Sequence, residues 1–124
     1  MRLGDYSLAL ASCHRALKLH HQVGSRFGEA HTWMTLGSTE LALGRYAEAA
    51  TCYGSAHSLF AEVGDRLFEA TALSELGDVL DADGNPPAAR AAWHEALAIA
   101  QGLHHSGAAS LRATLAARIG ASSA

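Results

Sequence analysis

The sequence predicts an all-α fold, an α-solenoid of antiparallel helix hairpins with about six helices, on two observations. A short turn recurs at Gly4-Asp5-Tyr6, Gly44-Arg45-Tyr46 and Gly84-Asn85-Pro86, and its glycines at positions 4, 44 and 84 are evenly spaced. Repeats at intervals of about 20 to 50 residues are typical of solenoids. Between the turns, apolar and small residues recur at intervals of three and four, which places them on one face of a helix.

The composition predicts one helical domain that contacts neither membranes nor nucleic acid. Of the 124 residues, 49% are hydrophobic and 17% are charged, which excludes a solvated, disordered chain. The net charge of -3 offers no electrostatic basis for direct nucleic-acid binding. The N-terminus shows no cleavage site, and no window is apolar for long enough to span a membrane. Cys13 and Cys52 lack metal-ligand spacing and indicate reduced thiols, so we expect a cytoplasmic protein.

Each predicted helix ends where glycine, proline or a capping side chain interrupts the pattern. Gly44 closes helix two, because glycine accepts the left-handed conformation found at helix ends. Ser25 and Asp65 precede helices two and four, where their side chains can accept hydrogen bonds from free amide groups. Pro86 and Pro87 suit the first turn of helix five, whose amides need no partner. The helices are expected at 5–23, 26–43, 45–63, 66–83, 86–103 and 108–119.

The repeat units and their core follow from these helices. Gly37 and Gly77 lie in mid-helix, where glycine costs about 1 kcal/mol against alanine, so each indicates a neighbouring helix that passes very close. The units are a half repeat at 1–24 with the second helix only, repeats at 25–64 and 65–104, a capping helix at 105–119 and a frayed tail at 120–124. The expected core comprises Trp33, Leu36, Gly37, Tyr46, Ala49, Tyr53, Ala56, Leu73, Leu76, Gly77, Ala89, Trp93 and Ala96.

One unit of the chain resembles the tetratricopeptide repeat in residue type and spacing: Trp33, Leu36, Gly37, Gly44, Tyr46, Ala49, Tyr53 and Ala56. The next unit supplies Leu73, Leu76, Gly77, Gly84, Ala89, Trp93 and Ala96 at the same offsets, with Pro86 in place of the tyrosine. The resemblance covers about residues 3 to 103. It implies a right-handed superhelix whose first helices line a concave groove, and a non-catalytic role in binding a protein or peptide.

The 40-residue period is longer than the family usually shows and resembles its long-repeat branch. Similar Val-Gly-Ser/Asp-Arg joints at 23–26 and 63–66 accompany it. That branch occurs in cell-polarity adaptors, in kinesin light chains and in the C-terminal arrays of bacterial transcriptional regulators. Because the bias toward alanine, glycine and arginine also looks bacterial, we expect a regulatory or adaptor array of a bacterial signalling or transcription-regulator protein.

The resemblance places a partner on the first helix of each hairpin. Met34 and Leu41 offer apolar contact on helix two, whereas helix four is acidic and has no basic residue between Leu67 and Asp83. Such a groove favours a basic peptide with an apolar anchor, although the acids could instead form a solvated face. The expected groove residues are His31, Met34, Ser38, Leu41, Thr71, Ser74, Asp78 and Asp81.

No catalytic, cofactor or metal site is expected. The histidine pairs at 20–21 and 104–105 fall at helix ends, and neighbours on a helix face different ways, so neither pair forms a chelate. No nucleophile stands beside a base and an orienting acid, which is the arrangement that catalysis requires. The pattern therefore favours binding over chemistry.

The beginning of the pattern leaves two interpretations open. Helix one matches the second helix of a hairpin, so its inner face lacks the usual partner, and an exposed apolar face marks an interface or a cut end. The chain is then a piece of a larger regulator, or an oligomerisation module that self-associates through its first helix. The sequence names neither the partner nor the oligomeric state.

Overall fold

The computed structural model describes residues 2–104 and 106–122 and contains six α-helices, with no strand in that part of the chain. The predicted all-α repeat fold is confirmed. The helices are α1 (Leu3–Gln22), α2 (Arg26–Ala42), α3 (Tyr46–Val63), α4 (Arg66–Ala82), α5 (Pro86–Gln101) and α6 (Ser106–Ser122).

The helices pack in chain order, each against the one before and the one after, and α4 also contacts α6. Helices α2 and α3 form one hairpin and α4 and α5 form the next. Offset by whole periods of the repeat, α2, α4 and α6 are equivalent first helices, and α1, α3 and α5 are equivalent second helices. The first helices therefore lie along one side of the stack and the second helices along the other.

Four of the five joints are closed by the same local chemistry. Their glycines at positions 24, 44, 64 and 84 have φ angles of 73° to 80°, a left-handed conformation that costs glycine little. At the start of α2, the Ser25 hydroxyl accepts a hydrogen bond from the Gly28 amide at 3.1 Å. The Asp65 carboxylate does the same for the Phe68 amide at 3.1 Å. These caps satisfy amide groups that the first turn of a helix leaves free.

Gly37 and Gly77, which lie in the middle of α2 and α4, allow aromatic side chains of the second helices to cross their hairpins. A methyl group at Gly37 would stand 3.0 Å from the Tyr53 ring, and one at Gly77 would clash with the Trp93 indole. Tyr53 and Trp93 are almost fully buried by this close approach. Their polar ends consequently reach the side of the stack formed by the first helices.

The core runs through the stack as four connected groups of small, aliphatic and aromatic side chains. Of the expected core residues, Trp33, Tyr46 and Leu76 are half-buried, and each packs against one of these groups. The structure buries Leu36, Gly37, Ala49, Tyr53, Ala56, Leu73, Gly77, Ala89, Trp93 and Ala96.

The C-terminal helix is longer than the sequence indicates. Instead of a frayed tail from residue 120, α6 continues through Gly120 to Ser122. Ile119 and Leu111 pack on the core formed by α4 and α5, which anchors this helix along its length. The remainder of the predicted tail, Ser123 and Ala124, lies outside the described residues, as do Met1 and His105.

A candidate protein-binding face

The expected groove residues occupy three different environments along α2 and α4. The first environment is a cluster of aromatic rings near the beginning of both helices. His31 lies between Phe27, Phe60 and Phe68, with ring centroids 4.4, 4.9 and 4.6 Å away. Because Phe60 and Phe68 also stack on each other at 5.2 Å, this end of the face is well packed. His31 is half-buried and joins α2 to α4 through these contacts.

The middle of the face combines apolar and neutral polar groups. Met34 and Leu41 are half-buried and pack against the group that contains Tyr53 and Val79. Ser38 is exposed, and its hydroxyl lies 3.0 Å from the Tyr53 hydroxyl. The middle therefore offers partly accessible apolar side chains beside two hydroxyl groups.

Two of the expected groove residues on α4, Thr71 and Ser74, make hydrogen bonds within the protein. The Thr71 hydroxyl donates a hydrogen bond to the Leu67 carbonyl oxygen at 2.9 Å. Ser74 is buried, and its carbonyl oxygen accepts a hydrogen bond from the Trp93 indole at 3.3 Å. These residues support the face, and Ser74 presents little surface to a partner.

Glu75 lies in the middle of the face and was absent from the predicted groove. Its carboxyl is half-buried, and burial raises its pKa above the usual value, an effect that the neighbouring Asp78 charge reinforces. A hydrogen bond with Tyr53 acts in the opposite direction on this pKa. In the part of the chain that the structure describes, no ion pair involves Glu75. The face therefore contains a carboxylate whose ionised form a nearby cation would stabilise.

The third environment is a polar cluster where α4 meets α6. The Asp78 carboxylate accepts hydrogen bonds from the Trp93 indole at 3.1 Å and from the Arg118 Nε at 2.9 Å. Asp78, one of the acidic residues expected on helix four, is thus partly neutralised within the chain by Arg118. Asp81 is exposed and lines an open cleft of about 500 Å³ together with Trp93, Arg118 and Ala121.

The 40-residue period could have revealed the contribution of Arg118. Ser38, Asp78 and Arg118 occupy equivalent positions on the three first helices. Equivalent positions of adjacent first helices lie side by side, so Arg118 is expected next to Asp78. Glu75 gave no such signal, because its equivalents Thr35 and Leu115 are not charged.

Metal binding and nucleophilic chemistry depend on how histidine, cysteine and acidic side chains are arranged in the described residues. Within residues 2–104 and 106–122, no group of three or more His, Cys, Asp or Glu side chains could hold a metal ion. Burial raises the pKa of the Cys13 thiol, and burial with the charge of Glu40 raises that of Cys52 to about 11. Such thiols are poor nucleophiles at neutral pH.

No helix in the described part of the chain combines the length and apolar character needed to cross a bilayer.

Stacked helix hairpins whose first helices form one continuous side define the class of helical repeat proteins. The chain belongs to the tetratricopeptide repeat family, whose model matches residues 28–102, more than half of its length. Repeats of this family mediate protein–protein interaction and are not catalytic. A comparison with curated proteins gives no match.

Proposed function

We propose that this chain is a non-catalytic module that binds a protein or peptide on the face formed by α2, α4 and α6. The family supports protein binding in general. The preferred partner segment carries a basic side chain and an apolar anchor. The observation on which this rests is Glu75, a half-buried carboxylate with no ion pair in the described part of the chain.

The balance of charge on the face favours a basic ligand. Glu75, Asp78 and Asp81 follow one another along α4, and Arg118 is the cation that pairs with Asp78. A lysine or arginine side chain near Glu75 would stabilise its ionised form and offset the cost of its burial. Binding would then lower the pKa of Glu75 towards its usual range.

The apolar anchor would lie against α2. Met34 and Leu41 are half-buried and flank the exposed Ser38, so part of each side chain stays available to a partner. Methionine is flexible and polarisable, which suits it to apolar ligands of varied shape. The exposed Ser38 hydroxyl between these side chains can hydrogen-bond to a peptide backbone.

We further propose that the chain is part of a regulatory or adaptor array in a cytoplasmic bacterial signalling or transcription-regulator protein. The 40-residue period supports this context, because it matches the long-repeat branch that such arrays resemble. The compositional bias towards alanine, glycine and arginine agrees with it.

The experiment is affinity capture from an extract of the source cell, with the chain as bait and mass spectrometry as the readout. The test variant combines Glu75→Gln with Asp81→Asn. These substitutions remove two negative charges from the binding face and leave the side-chain volumes nearly unchanged. The matched control combines Glu48→Gln with Glu95→Gln, which removes two exposed charges from the second helices α3 and α5.

A partner that the wild type and the control retain, and that the test variant loses, would support the proposal. Equal retention by all three proteins would show that the acidic groups of the face do not select the partner. The sequence of the captured protein would also test the regulatory context.

A further inference from the structure

A cleft of about 260 Å³ lies between α1, α2 and α3. Trp33, Leu36 and Glu40 of α2 line it at intervals of three and four residues, together with the buried Cys52 of α3. Three exposed side chains complete the lining: His14, Glu48 and Thr51. The cleft has about half the volume of the cleft of about 500 Å³ beside Asp81, so it suits a compound of few non-hydrogen atoms.

Glu40 brings a buried carboxylate oxygen without a hydrogen bond to this cleft. The residue is 6% exposed, and its Oε2 is buried with no hydrogen-bond partner in the described part of the chain. The Arg45 Nη1 lies 3.6 Å from this oxygen, which is close enough for an ion pair but too far for a hydrogen bond. Because the Arg45 side chain is 54% exposed, it offsets only part of the cost of burying the carboxylate.

The next repeat shows that the fold does not need a charge at this position. One period further along the chain, Leu80 stands in the place of Glu40 and Ala88 in the place of Glu48. Leu80 packs against the apolar core formed by α4, α5 and α6. Since leucine fills the equivalent place without burying a charge, packing does not explain the presence of Glu40.

The charge and the lining of the cleft favour an organic cation. Burial raises the pKa of the Cys52 thiol to about 11, and the charges of Glu40 and Glu48 act in the same direction, so the cleft has a negative potential. The described residues contain no group of three or more His, Cys, Asp or Glu side chains that could hold a metal ion. An ammonium group donates hydrogen bonds to a carboxylate, and an indole ring such as that of Trp33 attracts cations.

We propose that this cleft binds a small free amine in its protonated form, with the ammonium group on Glu40 and the apolar body against Trp33 and Leu36. The Glu40 carboxylate turns its Oε2 towards the ligand by rotation about χ3, a torsion with a broad energy minimum. The lining residues of α2 occupy a different stripe of that helix from positions 34, 38 and 41. This site is therefore separate from the proposed protein-binding face and does not depend on it.

The test is an NMR titration of the isotope-labelled full chain with butylammonium, and butanol is the neutral probe of similar size. The chain contains two tryptophans, Trp33 in the cleft and Trp93 beside Asp78, so their indole N–H resonances report on the two sites separately. We expect butylammonium to shift the Trp33 resonance with a dissociation constant of about 1 mM. Butanol should bind about tenfold more weakly, because it brings no charge to Glu40.

Variants of the charged residues separate binding from folding. Glu40→Gln and Glu40→Leu should each weaken the binding of butylammonium about tenfold or more. Because Glu40→Leu copies Leu80 of the next repeat, its thermal unfolding midpoint should be no lower than that of the wild type.

Arg45→Gln removes a cation that competes for Glu40 and should strengthen the binding of butylammonium about threefold. The matched control is Arg90→Gln, which removes one exposed positive charge from α5 and should leave the affinity unaltered.

A lysine derivative distinguishes a free amine from a side chain of a partner protein. Nα-acetyl-lysine N-methylamide carries the same butylammonium group on a peptide backbone, and weaker binding of this compound than of butylammonium would support a free ligand. Equal or tighter binding would assign the cleft to a lysine side chain and overturn the proposal.

Three further results would overturn the proposal. The first is a Trp33 resonance that does not shift with butylammonium at about 20 mM, including the case in which Trp93 alone shifts. The second is butanol that binds as tightly as butylammonium. The third is an unchanged affinity in Glu40→Gln, because the carboxylate would then take no part in binding.

Discussion

At the scale of single residues, two contacts between a glycine and an aromatic ring determine how closely the hairpins pack. Gly37 faces Tyr53 and Gly77 faces Trp93, so an aromatic ring of the second helix lies directly on the backbone of the first. The contact at Gly77 is the tighter of the two, and the Trp93 indole is held there by hydrogen bonds to the Ser74 carbonyl and the Asp78 carboxylate. A ring fixed in this way cannot move aside easily.

Gly77→Ala should therefore lower the free energy of unfolding by about 1 to 2 kcal/mol, as the overpacking cost exceeds the gain in helix propensity. Gly54→Ala is the matched control, because a methyl group at this helical glycine meets no atom within 4 Å. It should raise the free energy of unfolding by about 1 kcal/mol. Urea denaturation measures both changes. Equal stability of the two variants would contradict the proposed close contact.

We expect the folded protein to lose stability at alkaline pH because the Cys52 thiol and the Tyr53 hydroxyl are buried. Burial raises the pKa of Tyr53 from 10.0 to about 12 and, with the charge of Glu40, that of Cys52 from 9.0 to about 11. Because the folded state favours the protonated forms, their contribution is complete below pH 9 and is lost as the pH rises through 11 and 12. Urea denaturation between pH 8 and pH 12 measures this decline. In Tyr53→Phe, the free energy of unfolding should fall less steeply with pH above pH 10. A slope identical to that of the wild type would show that Tyr53 does not contribute to the decline.

At the scale of elements, the joint between α5 and α6 departs from the other four. Positions 24 and 64 hold glycine, whereas the equivalent position 104 holds histidine, and Gly102 has an ordinary φ of −84°. The free carbonyl groups at the end of α5 are bonded instead by Arg112. Its side chain donates hydrogen bonds to the Ala100 and Leu103 carbonyl oxygens at 2.9 Å each. A side chain of α6 thus replaces the glycine turn and ties the last helix to the stack.

Arg112→Met should lower the free energy of unfolding by about 1 to 3 kcal/mol, because two carbonyl groups lose a charged donor. Amide hydrogen exchange should accelerate at the end of α5 and in α6. The control is Arg118→Met, which breaks an exposed ion pair with Asp78 and should cost less than about 1 kcal/mol. A larger loss for Arg118→Met than for Arg112→Met would contradict the capping role.

At the scale of the whole molecule, the fold was predictable because it repeats. An even spacing of turns, glycine at four of the five turns and capping residues such as Ser25 and Asp65 fix six helices and their order. Local signals failed at the C-terminus, where Gly120 indicated fraying. Helix α6 continues past it because tertiary contacts of Leu111 and Ile119 outweigh the low helix propensity of glycine.

The candidate site was predictable only in part. Position within the repeat locates residues on the first helices, but it does not say which side chains are already used inside the protein. Trp93 of α5 donates a hydrogen bond to the main-chain carbonyl of the buried Ser74, and the Asp78 carboxylate accepts hydrogen bonds from Trp93 and from Arg118 of α6. The environment of Glu75 likewise depends on Tyr53, which belongs to a different helix.

The central claim is that the first helices bind a partner and the second helices do not. Hydrogen exchange of the chain, with and without the captured partner protein, tests it most directly. We predict that bound partner slows exchange in α2 and α4, above all at residues 34–41 and 74–81, and leaves α3 and α5 unchanged on their outer sides. Protection confined to α3 and α5, or absent from α2 and α4, would contradict the claim.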